Sequence, residues 1–449
     1  MFASVSIWLE FALLLTCIVI GARVGGIGLG AVSGLGLVFF VFILGLPPGN
    51  PPSIVLGMII AVITALSAMQ AAGGLDYLLT IAERLLYRNP KRVTLLAPLV
   101  TYALIFVSGT QHVIYALLPI IAEVSRKAGV RPERPLSISV IAAQQGLTAS
   151  PVSAVTVALV AALTGTGVGL PQILLVTIPA TLIGVLAGVA AVFHRGVELK
   201  DDPEYAKRLA EGKIAAVATM TELQGRQRRN AIGSCLVFLG AIGLVVLLGV
   251  DPALRPVYER VVDGVAKTGQ IDMGRAIMVV MLAAAGLILL LFNVSPEAAV
   301  KGGVMKGGLV AFISILGVSW MGSSFFEGNQ GVIVGGISAL VKDHSWTFAV
   351  GLFVLSIVLM SQAATIVMLA PVAAAMGLPA QLLVGVYPAV NGTFFLPTYG
   401  TVLAAVSMDQ TGTARIGKYL LNHSFMLPGL VSTLASTASA LLLSSILVE

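Results

Sequence analysis

The chain has 449 residues, of which 57% are hydrophobic and only 10% are charged, and its formal net charge is +6. A soluble domain carries roughly 25% charged residues, so this composition excludes an ordinary water-facing surface and indicates that most of the surface contacts lipid. The basic excess does not indicate nucleic-acid binding, because Lys and Arg lie in loops between long apolar segments, as in membrane proteins.

The apolar segments predict ten spans in an all-α polytopic membrane protein. Each run of about 20 residues can cross about 30 Å of hydrocarbon. The first run lacks a basic lead-in and a small-residue cleavage site, so we interpret it as a retained span and not as a removed signal. The predicted spans lie near residues 5–21, 27–46, 54–71, 136–163, 172–193, 232–249, 276–292, 303–325, 379–406 and 425–447.

Two further apolar segments are each divided by a polar tip. Residues 93–124 contain Ser108-Gly109-Thr110-Gln111-His112, and residues 346–376 contain Ser361-Gln362-Ala363-Ala364-Thr365, about 250 residues later. Their arms are shorter than 20 residues, which favours re-entrant hairpins shielded by protein over pairs of full spans. Amphipathic stretches precede both hairpins, at residues 75–88 and 332–342. The first is an interfacial helix or an ordinary connecting helix.

Each hairpin is followed by a broken segment, and the order of elements repeats. The first broken helix, 136–163, is interrupted at Ser150-Pro151-Val152-Ser153, and the second, 379–406, at Leu396-Pro397-Thr398-Tyr399. Paired interruptions in matching places of two halves are typical of secondary transporters. We therefore predict two inverted repeats, residues 1–194 and 232–449, joined by a charged cytoplasmic linker, residues 195–231.

The charge distribution predicts the orientation of the spans. If both termini are periplasmic, 21 of the 26 Lys and Arg residues face the cytoplasm. Eight of them lie between residues 195 and 229. We therefore expect a multi-pass protein of the bacterial inner membrane with both termini in the periplasm.

Helix ends at the tips and breaks predict a binding site for a small anion. An N-terminal helix end carries about half a positive charge and free N–H groups, so converging ends can hold an anion without a buried arginine. Pro151 and Pro397 cannot donate a backbone hydrogen bond and free carbonyls one turn earlier. The candidate substrate-binding residues are Ser108, Thr110, Gln111, Ser150, Ser153, Ser361, Gln362, Thr365, Asn391, Thr393, Thr398 and Tyr399.

Alternative roles remain open for these residues. Any single Ser or Thr can instead bond back to its own helix or contact a neighbouring helix. His112 lies at membrane depth and either handles substrate or protons or makes a structural hydrogen bond. Few other proton carriers lie inside the predicted spans, which favours exchange of one anion for another, although carbonyl-bound sodium remains open.

Other functional classes lack their sequence signatures. The chain has no P-loop, HExxH, CxxC or nucleophile elbow, so we predict no enzyme, no catalytic residue, no metal site and no cofactor, with Na⁺ or H⁺ left open as a coupling ion. Cys17 and Cys235 are too few for a disulfide framework. A channel would require a polar stripe along several spans, whereas polarity here is confined to the interruptions.

At the hairpin tips, at the breaks and in several loops, the chain resembles the anaerobic C4-dicarboxylate uptake (Dcu) family, and the matching strings run almost from end to end. The matching strings are irregular and long, so chance agreement is a poor explanation. They include Gly21-Ala22-Arg23, Gly73-Gly74-Leu75-Asp76, Arg88-Asn89-Pro90-Lys91, Arg131-Pro132-Glu133-Arg134-Pro135, Ala149-Ser150-Pro151-Val152-Ser153, Ser361-Gln362-Ala363-Ala364, Leu396-Pro397-Thr398-Tyr399 and Asn422-His423-Ser424-Phe425.

The resemblance implies exchange of fumarate, malate or aspartate for succinate, and a homodimer with a moving transport domain. It also directs attention to Glu83 and Arg131 as transport-supporting residues, although both lie on predicted internal loops, where a solvated charge is the ordinary outcome. Members of the family also act as co-sensors with a sensor histidine kinase, and the sequence does not decide whether this chain does. The alternative within transport is a sodium- or proton-coupled symporter of another small organic anion.

Overall fold

The computed structural model describes residues 7–214, 224–262, 265–343, 346–397, 399–417 and 421–448. Within those ranges the side chains of Ala22, His112, 260–262, 265–267, 333–343, Pro371, Ala374 and Ala375 lie outside the description. The described chain is almost entirely helical, which confirms the predicted all-α class. A two-stranded antiparallel hairpin, β1 (Val257–Val262) with β2 (Val265–Gln270), is an addition that the sequence analysis did not predict.

The described residues of the first half form ten α-helices. Short 3-10 or π turns adjoin several of them, including a π turn at Phe39–Ile43 after the second helix. The helices are α1 (Ile7–Val24), α2 (Gly28–Val38), α3 (Ser53–Ala71), α4 (Gly74–Arg88), α5 (Val93–Ser108), α6 (Ile114–Lys127), α7 (Glu133–Ala149), α8 (Ala154–Ala162), α9 (Leu170–Val192) and α10 (Pro203–Ala210).

The second half begins with a helix that starts inside the predicted linker. These helices are α11 (Gly225–Val250), α12 (Met273–Leu291), α13 (Pro296–Lys301), α14 (Gly303–Asp343), α15 (Thr347–Leu359), α16 (Gln362–Ala375), α17 (Ala380–Val386), α18 (Gly400–Met408) and α19 (Met426–Leu447). The predicted amphipathic stretch at 332–342 is not a separate helix, because α14 continues to Asp343.

The chain divides into two compact units, and each unit takes segments from both sequence halves. Unit 1 consists of Met1–Asp76, Pro151–Leu174 and Gln224–Gly328. Unit 2 consists of Tyr77–Ser150, Leu175–Leu223 and Asn329–Glu449. Both hairpins therefore belong to unit 2, although they come from different halves of the sequence.

Unit 1 is held by close helix packing and by side-chain caps. Helix α3 packs against α8 and α12, and α1 packs against α2. The backbones of Gly30 in α2 and Gly317 in α14 touch, because neither residue has a side chain to separate them. The side-chain oxygen of Gln70 accepts the N–H of Val304 at 3.1 Å, which satisfies one of the free donors at the start of α14.

Unit 2 is built around α7. This helix packs against α5, α6, α18 and α19, and nearly all its residues are buried. Helix α17 packs against α19, and α15 packs against α16. Because this helix is enclosed, its polar side chains lie among other protein groups, and this positions the site described below.

Eight helical segments of the described chain are long and apolar enough to cross a membrane. They include Pro90–Ser108, the first arm of the first hairpin, so length alone does not separate this arm from a full span. The predicted spans at 5–21 and 27–46 correspond to α1, which has 18 residues, and to the apolar helical segment Gly28–Ile43, which α2 and the following π turn form together. The chain is a multi-pass membrane protein.

Candidate functional site at the hairpin tips

Both hairpin tips end their first arm with a left-handed residue. Helix α5 ends at Ser108, and Gly109 follows with φ +63° and donates its N–H to the carbonyl of Ile105 at 2.8 Å. Helix α15 ends at Leu359, and Met360 follows with φ +47°. Glycine adopts this region freely, whereas a side chain such as that of Met360 makes it costly by roughly 1–2 kcal/mol. Strained residues of this kind are concentrated at functional sites.

The two tips share a hydrogen-bonded contact within unit 2. Gln111 Nε2 donates to Gln362 Oε1 at 3.3 Å, and the Tyr399 hydroxyl donates to Gln111 Oε1 at 2.8 Å. Gln111 lies in the first tip, Gln362 lies in the second tip at the start of α16, and Tyr399 ends the second break. These three predicted site residues are therefore brought together.

Asn391 connects this contact to α7. Its Oδ1 accepts from Gln362 Nε2 and, at 3.0 Å, from the Thr148 hydroxyl. Its Nδ2 donates to Gln145 Oε1 at 3.2 Å and to the carbonyl of Pro388 at 2.9 Å. Because every hydrogen-bonding position of this amide is occupied by protein, Asn391 organises the site. We call the connected residues Gln111, Gln144, Gln145, Thr148, Gln362, Asn391 and Tyr399 the amide network.

Three of the predicted hydroxyl residues hold the tips themselves. Ser108 Oγ donates to the carbonyl of Thr110 at 3.4 Å and is fully buried. Ser361 Oγ accepts the N–H of Ala364 at 3.2 Å, and Thr365 Oγ1 donates to the carbonyl of Ser361 at 2.7 Å. Ser361 therefore caps α16, and Thr365 bonds back to its own helix, which is the alternative role weighed for such residues.

The first break distributes its residues between the two units. Ser150 is buried, ends α7 and belongs to unit 2. Pro151 and Ser153 belong to unit 1, where Ser153 Oγ accepts the N–H of Thr156 at 3.1 Å and caps α8. Pro151 follows the last turn of α7 and so ends the helix, instead of freeing a carbonyl within it.

The second break is longer than predicted. The chain is not helical from Asn391 to Pro397, and Pro397 is buried there. Thr393 is also buried, and its hydroxyl has no hydrogen-bond partner among the described residues. Thr398 and the side chain of His112 lie outside the described residues. Thr110 lies between the first tip glycine and Gln111, half-buried.

Sequence reasoning missed the contribution of α7 to the network. Gln144 and Gln145 are fully buried, and Thr148 lies one turn further along the same helix. The sequence feature that could have revealed this contribution is the pair of adjacent glutamines in a predicted membrane span, where polar side chains are rare and usually functional. None of the seven side chains in the amide network carries a charge.

Arg131 is not solvated, although solvation is the ordinary outcome for a charge on a loop. Its side chain is 7% exposed, its Nε donates to Glu133 Oε2 at 2.7 Å, and its Nη1 donates to Asp202 Oδ2. Two buried carboxylates hold the guanidinium because an unpaired charge could not be buried there. Glu83 is half-buried on helix α4 and so lies on a helix, not on a loop.

The ion pair between Arg131 and Asp202 shifts the pKa of both groups. Burial lowers the pKa of Arg131, but hydrogen bonds and charges from Glu133 and Asp202 outweigh it and raise the pKa above its ordinary value. For Asp202, burial raises the pKa, while hydrogen bonds from the Tyr205 N–H and from Arg131 bring it below its ordinary value. Both groups are therefore charged at neutral pH.

The same cluster fastens the start of the predicted linker to α7. Arg134 Nε donates to the carbonyl of Arg195 at 2.8 Å, and Glu133 Oε1 accepts from Ser424 Oγ at 2.8 Å. Residues 195–202 thus form part of unit 2 and are not a free linker. Among the described residues, no group of three or more His, Cys, Asp or Glu side chains is arranged to hold a metal ion.

A helical chain with eight apolar segments of spanning length, and with uncharged polar side chains gathered where its helices are interrupted, is a multi-pass membrane transport protein. The chain belongs to the anaerobic C4-dicarboxylate membrane transporter family, whose model matches residues 6–448. This confirms the resemblance and the prediction that the protein is a transporter and not an enzyme.

Its relatives are similar over almost their whole length. The C4-dicarboxylate transporter DcuA of Escherichia coli (strain K12) is 40% identical over 97% of this chain and 98% of its own. The anaerobic C4-dicarboxylate transporter DcuB of Escherichia coli O157:H7 is 39% identical over 95% of this chain and 96% of its own. DcuA of Wolinella succinogenes is 39% identical over 98% and 99%.

Two solved transporters share the fold. The YdaH transporter of Alcanivorax borkumensis matches with a TM-score of 0.58 at 15% identity, over 98% of this chain and 96% of its own. MtrF of Neisseria gonorrhoeae, described with a class of antimetabolite efflux pumps, matches with a TM-score of 0.56 at 13% identity, over 97% and 94%. At such low identity these similarities establish the fold alone.

Proposed function

We propose that this chain exchanges C4-dicarboxylates, taking up fumarate, malate or aspartate against succinate across the bacterial inner membrane by alternating access. The observation that carries the proposal is the amide network, which joins both hairpin tips and the second break through uncharged donors. The relatives, which are C4-dicarboxylate transporters, suggest the substrate class. Both termini are periplasmic in this proposal.

The network suits a small dianion that has to be released as readily as it is bound. Carboxamide and hydroxyl donors, together with the N-terminal ends of α16 and α18, attract carboxylates without the tight pairing that arginine gives. An arginine at the tips would retain the substrate more strongly and would remain as a costly unpaired charge after release.

Exchange is favoured over proton-driven transport because the amide network contains no carboxylate or histidine that could carry a proton. An exchanger changes its orientation only when it is loaded. Each anion that it carries out of the cell must therefore be replaced by another anion that it carries in. The competing arrangement is a symporter in which Na⁺ or H⁺ accompanies another organic anion.

Counterflow in proteoliposomes tests the exchange. Vesicles loaded with succinate or left empty receive labelled fumarate outside, with and without a sodium or pH gradient. Uptake that requires internal succinate and no gradient is the expected result. Uptake into empty vesicles that follows an ion gradient would replace exchange by symport, and uptake of no C4 acid would remove the substrate class.

A matched pair of variants ties this activity to the tips. Gln362→Leu removes the amide that joins Gln111 and Asn391 and is expected to abolish counterflow. Gln381→Leu removes an amide of the same unit that donates to the carbonyl of Ser444 at 3.0 Å, away from the network, and is expected to retain counterflow. Equal activity of the two variants would separate transport from the network.

Single cysteines test the proposed orientation. Thr166 and Lys213 are both exposed, and the native Cys17 and Cys235 are buried, so background labelling is low. Thr166→Cys is expected to react with a membrane-impermeant maleimide in intact cells, whereas Lys213→Cys reacts only after the membrane is opened. The reverse pattern would invert the topology.

A further inference from the structure

Gln144 differs from every other amide of the network. Its side chain is fully buried, and neither Nε2 nor Oε1 has a hydrogen-bond partner among the described residues. Its neighbour Gln145 is equally buried, but Gln145 Nε2 donates to Ser436 Oγ at 3.3 Å and Oε1 accepts from Asn391. Two adjacent glutamines on one helix thus have opposite hydrogen-bonding states.

The backbone of Gln144 lies against the proposed substrate site. Its backbone carbonyl accepts from Gln362 Nε2 at 3.3 Å, so this turn of α7 contacts the second hairpin tip. Thr148, four residues later on the same helix face, donates to Asn391. Thr393 lies two residues after Asn391 and is also buried. Like the Gln144 amide, its hydroxyl has no hydrogen-bond partner among the described residues.

An unpaired buried amide is expensive, costing about 1–3 kcal/mol for each polar atom left without a partner. Buried polar groups in folded proteins therefore almost always have a partner, and an exception needs a functional explanation. Near a site that takes a small polar molecule, the explanation is a hydrogen bond made to that molecule.

The two polar atoms of the Gln144 amide determine which hydrogen-bonding groups a bound substrate must have. Nε2 donates, and a carboxylate accepts from it; Oε1 only accepts, and therefore needs a donor. Fumarate and succinate are dianions without a donor at neutral pH. A C4 acid with a hydroxyl or an ammonium group at C2, such as malate or aspartate, supplies a donor beside its carboxylate.

We propose that Gln144 is a specificity-determining residue that reads the C2 substituent of the C4-dicarboxylate, Nε2 binding the adjacent carboxylate and Oε1 accepting from the C2 hydroxyl or ammonium group. This inference rests on the proposed function. It adds that the protein distinguishes substituted from unsubstituted C4 acids, and it names the group that makes the distinction.

The test is the ratio of malate to fumarate uptake. In succinate-loaded vesicles, Gln144→Met keeps the volume and removes both polar atoms, and the ratio of the two kcat/KM values is expected to fall about tenfold, as a lost hydrogen bond of about 1.4 kcal/mol requires. A fall of less than about threefold, well under 1 kcal/mol, would overturn the inference.

A matched control separates recognition from structure. Gln145→Met removes an amide of the same size, one residue away, whose partners are Asn391 and Ser436. It is expected to lower malate and fumarate uptake by the same factor, so the ratio stays constant. A ratio that changes as much in Gln145→Met as in Gln144→Met would assign the effect to α7 packing and overturn the inference.

The wild-type protein provides a test that does not depend on a variant. Fluorosuccinate resembles malate in size, but its fluorine cannot donate a hydrogen bond. We expect malate to compete for fumarate counterflow about tenfold more strongly than 2-fluorosuccinate. Equal competition would overturn the inference, whereas a wild-type protein that transports no C4 acid would remove the proposed function itself.

Discussion

Gln111 Nε2 donates a hydrogen bond of 3.3 Å to Gln362 Oε1, 251 residues further along the chain. The two residues lie in corresponding tips of the two halves, and both belong to unit 2. The contact is neutral, so each partner can release the other without leaving a buried charge. A substrate that competes for either amide therefore has a direct way to change how the two hairpins are joined.

Tyr399→Phe is expected to impair transport by roughly tenfold, with insertion and folding retained. The hydroxyl of Tyr399 donates to Gln111 Oε1 at 2.8 Å, and its loss leaves that buried oxygen unpaired, at about 1–3 kcal/mol. Initial rates of counterflow, normalised to the amount of protein in the vesicles, give the measurement.

Tyr102→Phe is the matched control. Tyr102 is buried in the same unit, and its hydroxyl lies 2.8 Å from Thr181 Oγ1, where α5 packs against the neighbouring helices. Its loss is expected to cost about 1 kcal/mol of stability while transport continues. Equal transport by the Tyr399 and Tyr102 variants would contradict a specific role for Tyr399.

Arg131→Met is expected to destabilise the protein by about 3–5 kcal/mol, because it leaves the buried carboxylates of Glu133 and Asp202 without their partner. Unfolding in detergent, followed by tryptophan fluorescence, measures this loss. In an Asp202→Asn background the same substitution is expected to cost less, since one of the two carboxylates is then neutral.

The exposed pair Arg208 and Glu204 provides the comparison for Arg131. Their side chains are 36% and 46% exposed, and Arg208→Met is expected to cost under about 1 kcal/mol. If both arginine variants lose the same stability, the buried cluster does not fasten residues 195–202 to α7.

Stability is expected to fall as the pH drops from about 7.5 to about 5.5, through His423. The ring is 2% exposed, its Nε2–H donates to the carbonyl of Phe395, and its Nδ1 accepts the N–H of Phe425, both at 3.2 Å. Burial, together with the charge of Arg195, lowers its pKa below the ordinary 6.5.

The sign of this dependence follows from the lowered pKa. As the pH falls through 6.5, the unfolded chain binds a proton that the folded protein does not, so unfolding becomes more favourable. His423→Gln is expected to flatten the melting temperature over this interval. A slope that is the same in the variant and in the wild type would assign it to other groups.

Gly317→Ala is expected to destabilise unit 1 by about 1–3 kcal/mol, because its methyl group would overlap the carbonyl of Gly30. Gly34→Ala, at a helical position of α2 with nothing within 4 Å, is expected to be neutral or to stabilise by about 0.5–1 kcal/mol. Melting temperatures of the two variants in detergent make the comparison, and equal values would contradict the close helix contact.

The sequence predicted the elements well where the signal is local. The polar tips at 108–112 and 361–365 and the break at Ser150 fall where helices end, because glycine, proline and clustered polar residues interrupt helices wherever they occur. The second break begins earlier than predicted, at Asn391-Gly392, a dipeptide typical of turns that the sequence analysis did not use, and Thr148 and Gln145 hold Asn391 there by tertiary hydrogen bonds.

The sequence by itself determined that the chain is a helical membrane protein with two interrupted hairpins and polar tips, because hydropathy and helix interruption are properties of neighbouring residues. Only the tertiary structure decided which polar groups meet. It brings Gln111 to Gln362 and gives every polar atom of the Asn391 amide a hydrogen-bond partner. It also leaves the Gln144 side chain without a partner among the described residues and buries Arg131 between two carboxylates. Those outcomes depend on how segments distant in sequence pack together, and no local pattern encodes that packing.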